Sequence, residues 1–252
     1  MEKIYREIID YVCSQKQRLN DLSGRIADVG VKKQYLTEED VRIERELKEI
    51  ILRNDPKHFV YAEEENDTLP QGDDIWVIDP ISGTKQFIAG NPNYAVVLSH
   101  LHFNRPVFSL VYHPVKDNIF FAVRNGGVFL NNERIIVRDN VDKDKVRVLF
   151  KPSIYWKDQD EIEKIMNILK KNFMVERLEG SMALGYCALA KGEYDGMVTL
   201  TKDIFPEMAG SLIVEEAGGS FTNFKGEKIN FEDRKFILGN SKTHKKLLEL
   251  LS

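Results

Sequence analysis

The sequence predicts a mixed fold, α+β in its first half and α/β in its second, across 252 residues. Three observations carry that expectation. Two amphipathic helical patterns lie in the first quarter of the chain; short β-rich segments broken by Asn, Pro and Gly fill residues 94–137; strand and helix patterns alternate from residue 146 onward.

Each element has a local reason. Ile4, Ile8, Ile9, Val12 and Cys13 recur at helical spacing and define the first helix. A second begins at Thr37, where Asp40 completes a spacing like that of a capping box and Glu38 and Glu39 suit the positive end of the helix dipole. Ile43, Leu47, Ile50 and Ile51 give it an apolar face, and Asn54-Asp55-Pro56 ends it. His58 to Ala62 reads as a strand with Glu63-Glu64-Glu65 at its carboxyl end, and Ile75 to Ile78 as a buried strand running into Asp79-Pro80. Tyr94–Leu101, Val107–His113, Asn118–Val123 and Gly127–Leu130 form an antiparallel meander, with hairpin turns at Asn125-Gly126 and Asn131-Asn132. After the charged stretch Asp139–Lys145 come strands at 146–150, 173–177, 194–200 and 236–239. Helices are expected at 158–171, from Gly180-Ser181 to Ala190, at 206–217, and at the carboxyl end.

Composition bounds the function. With 42% hydrophobic, 10% aromatic and 30% charged residues, the chain is neither disordered, collagen-like nor a disulfide-stapled scaffold. A net charge of −4 lacks the basic footprint of a nucleic-acid binder, and Lys242–Lys246 is one face of a helix; no polymeric nucleic acid and no membrane partner are expected. Cys13 and Cys187 are far apart and read as small buried hydrophobes. The absence of a disulfide framework and the charged start Met1–Arg6 point to a cytoplasmic location. The five histidines show no zinc-type spacing, and the alternation His100-Leu101-His102 suggests a surface face of a strand.

Two acidic clusters, Glu63-Glu64-Glu65 and Asp79-Pro80-Ile81-Ser82-Gly83-Thr84, each end a strand. Singly, the first is a solvated loop and the second a turn. Together with Asp40 at a helix start they suggest a site for a hard cation, since Mg²⁺ takes oxygen ligands from one or two carboxylates plus a substrate phosphate. Pro80 and Gly83 allow a sharp turn that aims the Ile81 carbonyl inward and frees the following amides for an anion.

Four ordered segments resemble the inositol monophosphatase superfamily of Mg²⁺-dependent phosphomonoesterases. They are Thr37-Glu38-Glu39-Asp40, Ala62-Glu63-Glu64, the strand into Asp79–Thr84, and Phe205-Pro206-Glu207-Met208-Ala209-Gly210 leading to Glu215-Glu216-Ala217-Gly218-Gly219. Gly180-Ser181 after Arg177 matches a further family position. The resemblance implies a layered αβαβα sandwich of the inositol monophosphatase and fructose-1,6-bisphosphatase type, with an antiparallel sheet first and a mostly parallel one second. It implies an N-terminal domain, 1–143, holding the metal site, and a C-terminal domain, 144–252, supplying substrate-side residues. Glu63, Asp79 and the Ile81 carbonyl are then the first metal site, and Asp40 and Thr84 orient the attacking water, with Asp40, Thr84 and Glu63 as the catalytic set. Gly83 and Thr84 would meet phosphate, Lys85 a second phosphate on the substrate, and Gly180 and Ser181 substrate hydroxyls. The implied partner is a small phosphorylated metabolite, and family analogy suggests a homodimer.

Two departures change the expectation. Where the family has aspartate in Asp-Pro-Ile-Asp-Gly-Thr this chain has Ser82, and where the family has Trp-Asp it has Phe205-Pro206. Both lost aspartates serve the family's second metal site, so one Mg²⁺ is expected and the second site is weak or absent. Glu207 and Asp203 are the nearby acids that could compensate. Gly-Thr-Lys-Gln-Phe at 83–87 has local likeness to the 3′(2′),5′-bisphosphate nucleotidase branch, and Thr199 replaces an acid found in inositol-selective members. The expected activity is hydrolysis of a small phosphate monoester. The alternative is a silent relative that binds a phosphorylated ligand or a protein.

Overall fold

A computed structural model describes residues 2–31, 35–64, 68–137 and 146–252. Three helices, α1 (Lys3–Ser14), α2 (Lys16–Leu22) and α3 (Glu38–Asn54), precede the parallel strand pair β1 (Phe59–Ala62) and β2 (Asp74–Ser82). The short helix α4 (Thr84–Ile88) follows, and then the meander β3 (Ala95–His102), β4 (Arg105–His113), β5 (Asn118–Val123), β6 (Gly127–Leu130) and β7 (Glu133–Ile135). The second half runs β8 (Arg147–Pro152), α5 (Gln159–Asn172), β9 (Met174–Arg177), α6 (Met182–Ala190), β10 (Gly196–Leu200), α7 (Phe205–Glu216), β11 (Ser220–Asn223), β12 (Lys235–Gly239) and α8 (Ser241–Leu251).

The strands form two sheets. One has seven strands in sequence order β1 to β7; the other has five in the order β11-β12-β10-β8-β9. Strand alternation sorts side chains between layers. On β2 and β3, Trp76, Ile78, Val96 and Leu98 face α1 and α3, packing on Ile8, Val12, Ile43 and Leu47. Their neighbours Ile75, Val77, Ala95 and Val97 face the other way, onto Tyr186, Leu189, Met208 and Leu212 of α6 and α7. The second sheet covers the far side of those two helices with Met197, Phe236 and Leu238, and turns Val148, Phe150, Val198 and Ile237 onto α5 and α8. The layers are therefore αβαβα, as expected. Because both faces of α6 and α7 are covered, both helices are largely buried, and α6 is apolar all round, which the run Met182–Ala190 already shows.

Several expectations need correction. The second sheet is mixed rather than mostly parallel: β8 pairs in parallel with β9 and β10, while β12 pairs antiparallel with β10 and β11. Helices α2 and α4 and strands β7 and β11 are too short for their periodicity to stand out. His100 is not on a surface face. It is 6% exposed, stacked on Trp76 and covered by Tyr5 of α1. Cys13 is half-buried and Cys187 buried, both as free thiols. The charged stretch 139–145, and with it the boundary at 143/144, lies outside the described residues, as does Glu65. No helix among the described residues is long and apolar enough to cross a membrane.

Candidate active site

The parallel register of β1 and β2, Ala62 beside Ile78, brings the next residues of each strand together, and the Glu63 amide donates to the Ile78 carbonyl at 3.0 Å. Glu63 and Asp79 thus become neighbours. Beyond Asp79 the pairing of β2 with β3 is interrupted as far as Ser82. Pro80 has no N–H to give a ladder, and an irregularity there turns the backbone. The turned Ile81 carbonyl accepts from the Thr84 hydroxyl at 2.8 Å, and the same hydroxyl lies 3.3 Å from Asp40 Oδ1.

Asp40 is fixed from its own helix. Its Oδ2 accepts from the Thr37 amide at 2.8 Å and the Thr37 hydroxyl at 2.5 Å, while the Asp40 amide donates back to Thr37 Oγ1. This is the capping box expected at 37–40, and it leaves Oδ1 facing Thr84. Burial, opposed by the Thr37 hydroxyl and reinforced by Glu64 and Glu63, raises the Asp40 carboxyl to about 7. Asp79 is raised as well, first by burial and then by the carboxylates of Glu63 and Asp203. One of its oxygens, Oδ1, is buried without a hydrogen-bond partner among the described residues.

Gly83 and Gly180 bring two helix starts together. Both have positive φ, at 88° and 90°, and a Cβ on either would collide with the Asn93 carbonyl, at 2.9 Å and 2.2 Å. That carbonyl accepts from the Ser181 amide at 3.0 Å, so β3's leading loop pins the start of α6 beside that of α4. The first amides of each helix have no intrahelical acceptor.

One pocket collects the predicted residues Glu63, Asp79, Ile81, Ser82, Gly83, Thr84, Lys85, Gly180 and Ser181. Asp40 stands behind Thr84. The replaced positions lie there too. Ser82 Oγ accepts from the Ser181 hydroxyl at 2.8 Å, and its hydroxyl acts to lower the Asp79 carboxyl against the stronger effect of burial. Pro206 lines the pocket at the start of α7, a position where its missing N–H costs nothing. Of the two acids considered as replacements, Asp203 lines the pocket; Glu207 is turned away, fully buried, and accepts from Tyr186 at 2.9 Å. Thr199 is buried and does not line the pocket.

Sequence reasoning missed the far wall. Lys151, Lys202, Tyr35 and Tyr155 also line the pocket, with Lys85 over the Tyr35 ring and Lys202 over the Tyr155 ring. Lys151 is the next-to-last residue of β8, and the carboxyl ends of strands in a sheet with helices on both faces are where ligands bind. That signal was present in the strand assignment. Tyr35 and Tyr155 lie in connecting segments and gave none.

The donors fit one hard dication. Glu63, Asp79 and the Ile81 carbonyl are oxygens, as Mg²⁺ prefers, and a buried unpartnered carboxylate oxygen is costly unless a charge meets it. A second dication fits poorly, because Ser82 is neutral and Pro206 has no donor.

The chain is similar to known proteins over most of its length. The family model for the inositol monophosphatase family matches residues 3–252. A fructose-1,6-bisphosphatase/inositol-1-monophosphatase of Aquifex aeolicus is 31% identical over 223 residues, 87% of this chain and 82% of that protein. A Nus factor SuhB of Vibrio cholerae is 31% identical over 222 residues, 85% of this chain and 81% of that one. Among solved structures, a Thermotoga maritima IMPase superposes with a TM-score of 0.86 at 28% identity, covering 100% of this chain and 97% of the other.

Proposed function

The chain belongs to the inositol monophosphatase family, and from that membership we propose that it hydrolyses a small phosphate monoester, inositol-phosphate-like or nucleotide 3′-phosphate-like. The reading places one Mg²⁺ on Glu63, Asp79 and the Ile81 carbonyl, with a second site that is weak or absent. When bound, Mg²⁺ lowers the pKa of water and offsets charge on the phosphoryl oxygens. The chain's own residues do the rest. The Thr84 hydroxyl, held between Asp40 and the Ile81 carbonyl, orients a water, and Asp40, with its carboxyl raised to about 7, is suited to take the proton. Free amides at Gly83-Thr84 receive phosphate, Lys85 adds charge at its rim, and Gly180-Ser181 faces the alcohol portion.

The observation that carries this reading is the buried, unpartnered Asp79 oxygen beside Glu63, with the Asp40–Thr84 pair next to it. Ser82 and Pro206 favour a second reading, a silent relative that retains a phosphorylated ligand or a protein partner. Two copies pairing and a cytoplasmic location belong to the same proposal. The relatives called Nus factor SuhB make a protein partner worth testing under the second reading.

The two readings separate on restoring the lost ligands. Ser82→Asp with Pro206→Asp should raise the calorimetric Mg²⁺ count by one. It should also raise turnover on a panel of sugar, inositol and nucleotide phosphates at least tenfold, a barrier change of about 1.4 kcal/mol. If the unaltered chain already turns over at ordinary rates of about 1–10³ s⁻¹, the weight placed on Ser82 and Pro206 is wrong. If the double variant gains the ion and no turnover, the silent reading stands.

A further inference from the structure

Lys151 is the least expected residue of the pocket, and strand alternation explains its place. On β8, Val148 and Phe150 turn onto α5 and α8, while Leu149 packs in the core around α6 and α7. Lys151, two residues after Leu149, therefore lies on the inner face of the sheet. It is half-buried, lines the pocket, and makes no hydrogen bond or ion pair among the described residues. Burial lowers its ammonium from the usual range; Glu179, exposed and not among the lining residues, opposes this, and the charge of Lys85 adds to it. Glu63, Asp79 and Asp203 do not act on Lys151, whereas Asp79 feels both of the other two carboxylates. The pocket is thus divided by charge, carboxylates influencing one another and ammoniums one another. Lys202 and Lys85 line it from exposed positions, 4.9 Å above the Tyr155 ring and 5.6 Å above the Tyr35 ring, and neither has a carboxylate partner among the described residues.

We propose that Lys151 and Lys85, with Lys202 at the rim, form a second anion subsite, and that the ester bound here carries a further phosphate on its alcohol portion. The proposal rests on the reading of the pocket as a phosphate-monoester site and narrows that reading to bisphosphates. A half-buried ammonium is costly unless an anion meets it, and Lys151 has none from the protein. Two ammoniums that repel each other are relieved together by one dianion, whose several oxygens accept charge-assisted hydrogen bonds from both. The reacting phosphate does not fill this role. It has its own partners in the cation on Glu63 and Asp79 and in the amides at Gly83-Thr84, and Lys151 does not feel those carboxylates. The neutral hydroxyls of a sugar would leave the charge of Lys151 uncompensated. Sugar bisphosphates and nucleoside bisphosphates share the required chemistry.

The test compares matched esters on the full chain with Mg²⁺: glucose 6-phosphate against glucose 1,6-bisphosphate, and adenosine 3′-phosphate against adenosine 3′,5′-bisphosphate. Affinity is read by calorimetry where the ester survives and as KM where it is consumed. In at least one pair the bisphosphate should bind at least about tenfold tighter, as a hydrogen bond to a charged group allows. The pair that shows this preference tells sugar from nucleoside. Lys151→Met, which keeps the length of the side chain and removes its charge, should abolish the preference by weakening the bisphosphate alone. Lys85→Gln, at an exposed position, should reduce it, and Lys151→Arg should retain part of it. Lys245→Gln, exposed on α8, makes the same change in net charge and should leave it intact. A bisphosphate that binds no tighter than its monophosphate in either pair overturns the proposal. So does Lys151→Met weakening both esters alike, which would assign this lysine to the reacting phosphate. A chain that takes up neither ester of either pair, nor inorganic phosphate, removes the reading of the pocket itself, and the subsite falls with it.

Discussion

Asp203 and Glu207 differ in what they face. Asp203 lines the pocket with Asp79, and two of the three raised carboxyls, Asp79 and Glu207, feel it as a nearby negative charge. Glu207, buried and held by Tyr186, is raised to about 8, first by burial and then by Asp203, so it is neutral near pH 7. Any residual affinity for a second cation therefore draws on Asp203. In calorimetry with inorganic phosphate present, Asp203→Asn should weaken that binding at least tenfold, about 1.4 kcal/mol. Glu207→Gln, which swaps one neutral group for another, should leave it unchanged. Equal losses from both substitutions would show that the assignment of the two acids is wrong.

At the scale of elements, the site depends on how closely α6 and α7 approach. A Cβ on Gly210 would come within 2.0 Å of the Tyr186 ring, so glycine here is a packing requirement. Alanine would favour the helix by about 1 kcal/mol in isolation. The clash outweighs that gain: Gly210→Ala should cost about 1–3 kcal/mol, and at roughly 2–4 °C per kcal/mol the loss should be clear in a thermal melt. Such contacts were invisible in the sequence, whereas the elements themselves were mostly legible. The Thr37–Asp40 cap, the strand into Asp79 and the hairpins at Asn125 and Asn131 are written in local chemistry, and positive φ at both asparagines agrees with the turns. What was not legible came from tertiary pairing. The direction of β12, the burial of His100 under Tyr5 and the arrival of Lys151 opposite Lys85 depend on segments far apart in the chain. The neighbouring of Glu63 and Asp79 was inferred from strand ends, and it is the register of β1 against β2 that produces it.

For the molecule as a whole, burying carboxylates around one pocket ties stability to pH and to cations. Asp40 sits at about 7 in the fold against an ordinary 3.8, and Asp79 is raised as well. A raised carboxyl contributes fully below the unfolded value; the contribution is lost as pH climbs from about 4 to about 7, where the unfolded chain ionises and the folded one resists. His100 works in the opposite sense. Lowered to about 4 from 6.5, it stabilises the fold above 6.5 and gives that up as pH falls toward 4. The two trends overlap in a simple melt and separate when Mg²⁺ is varied, because the proposed cation meets the pocket carboxylates and not His100. Mg²⁺ competes with protons there, so the rise in Tm that it produces should be small at pH 5 and grow toward pH 7.5. At a hundredfold excess over Kd it amounts to about 2.7 kcal/mol, or roughly 5–10 °C for a chain of this size. A Mg²⁺-dependent rise that is flat across this range, or larger at pH 5, would mean that the ion binds away from Asp79 and Asp40. The Glu63→Gln/Asp79→Asn variant supplies the control, since its Tm should not respond to Mg²⁺ at either pH.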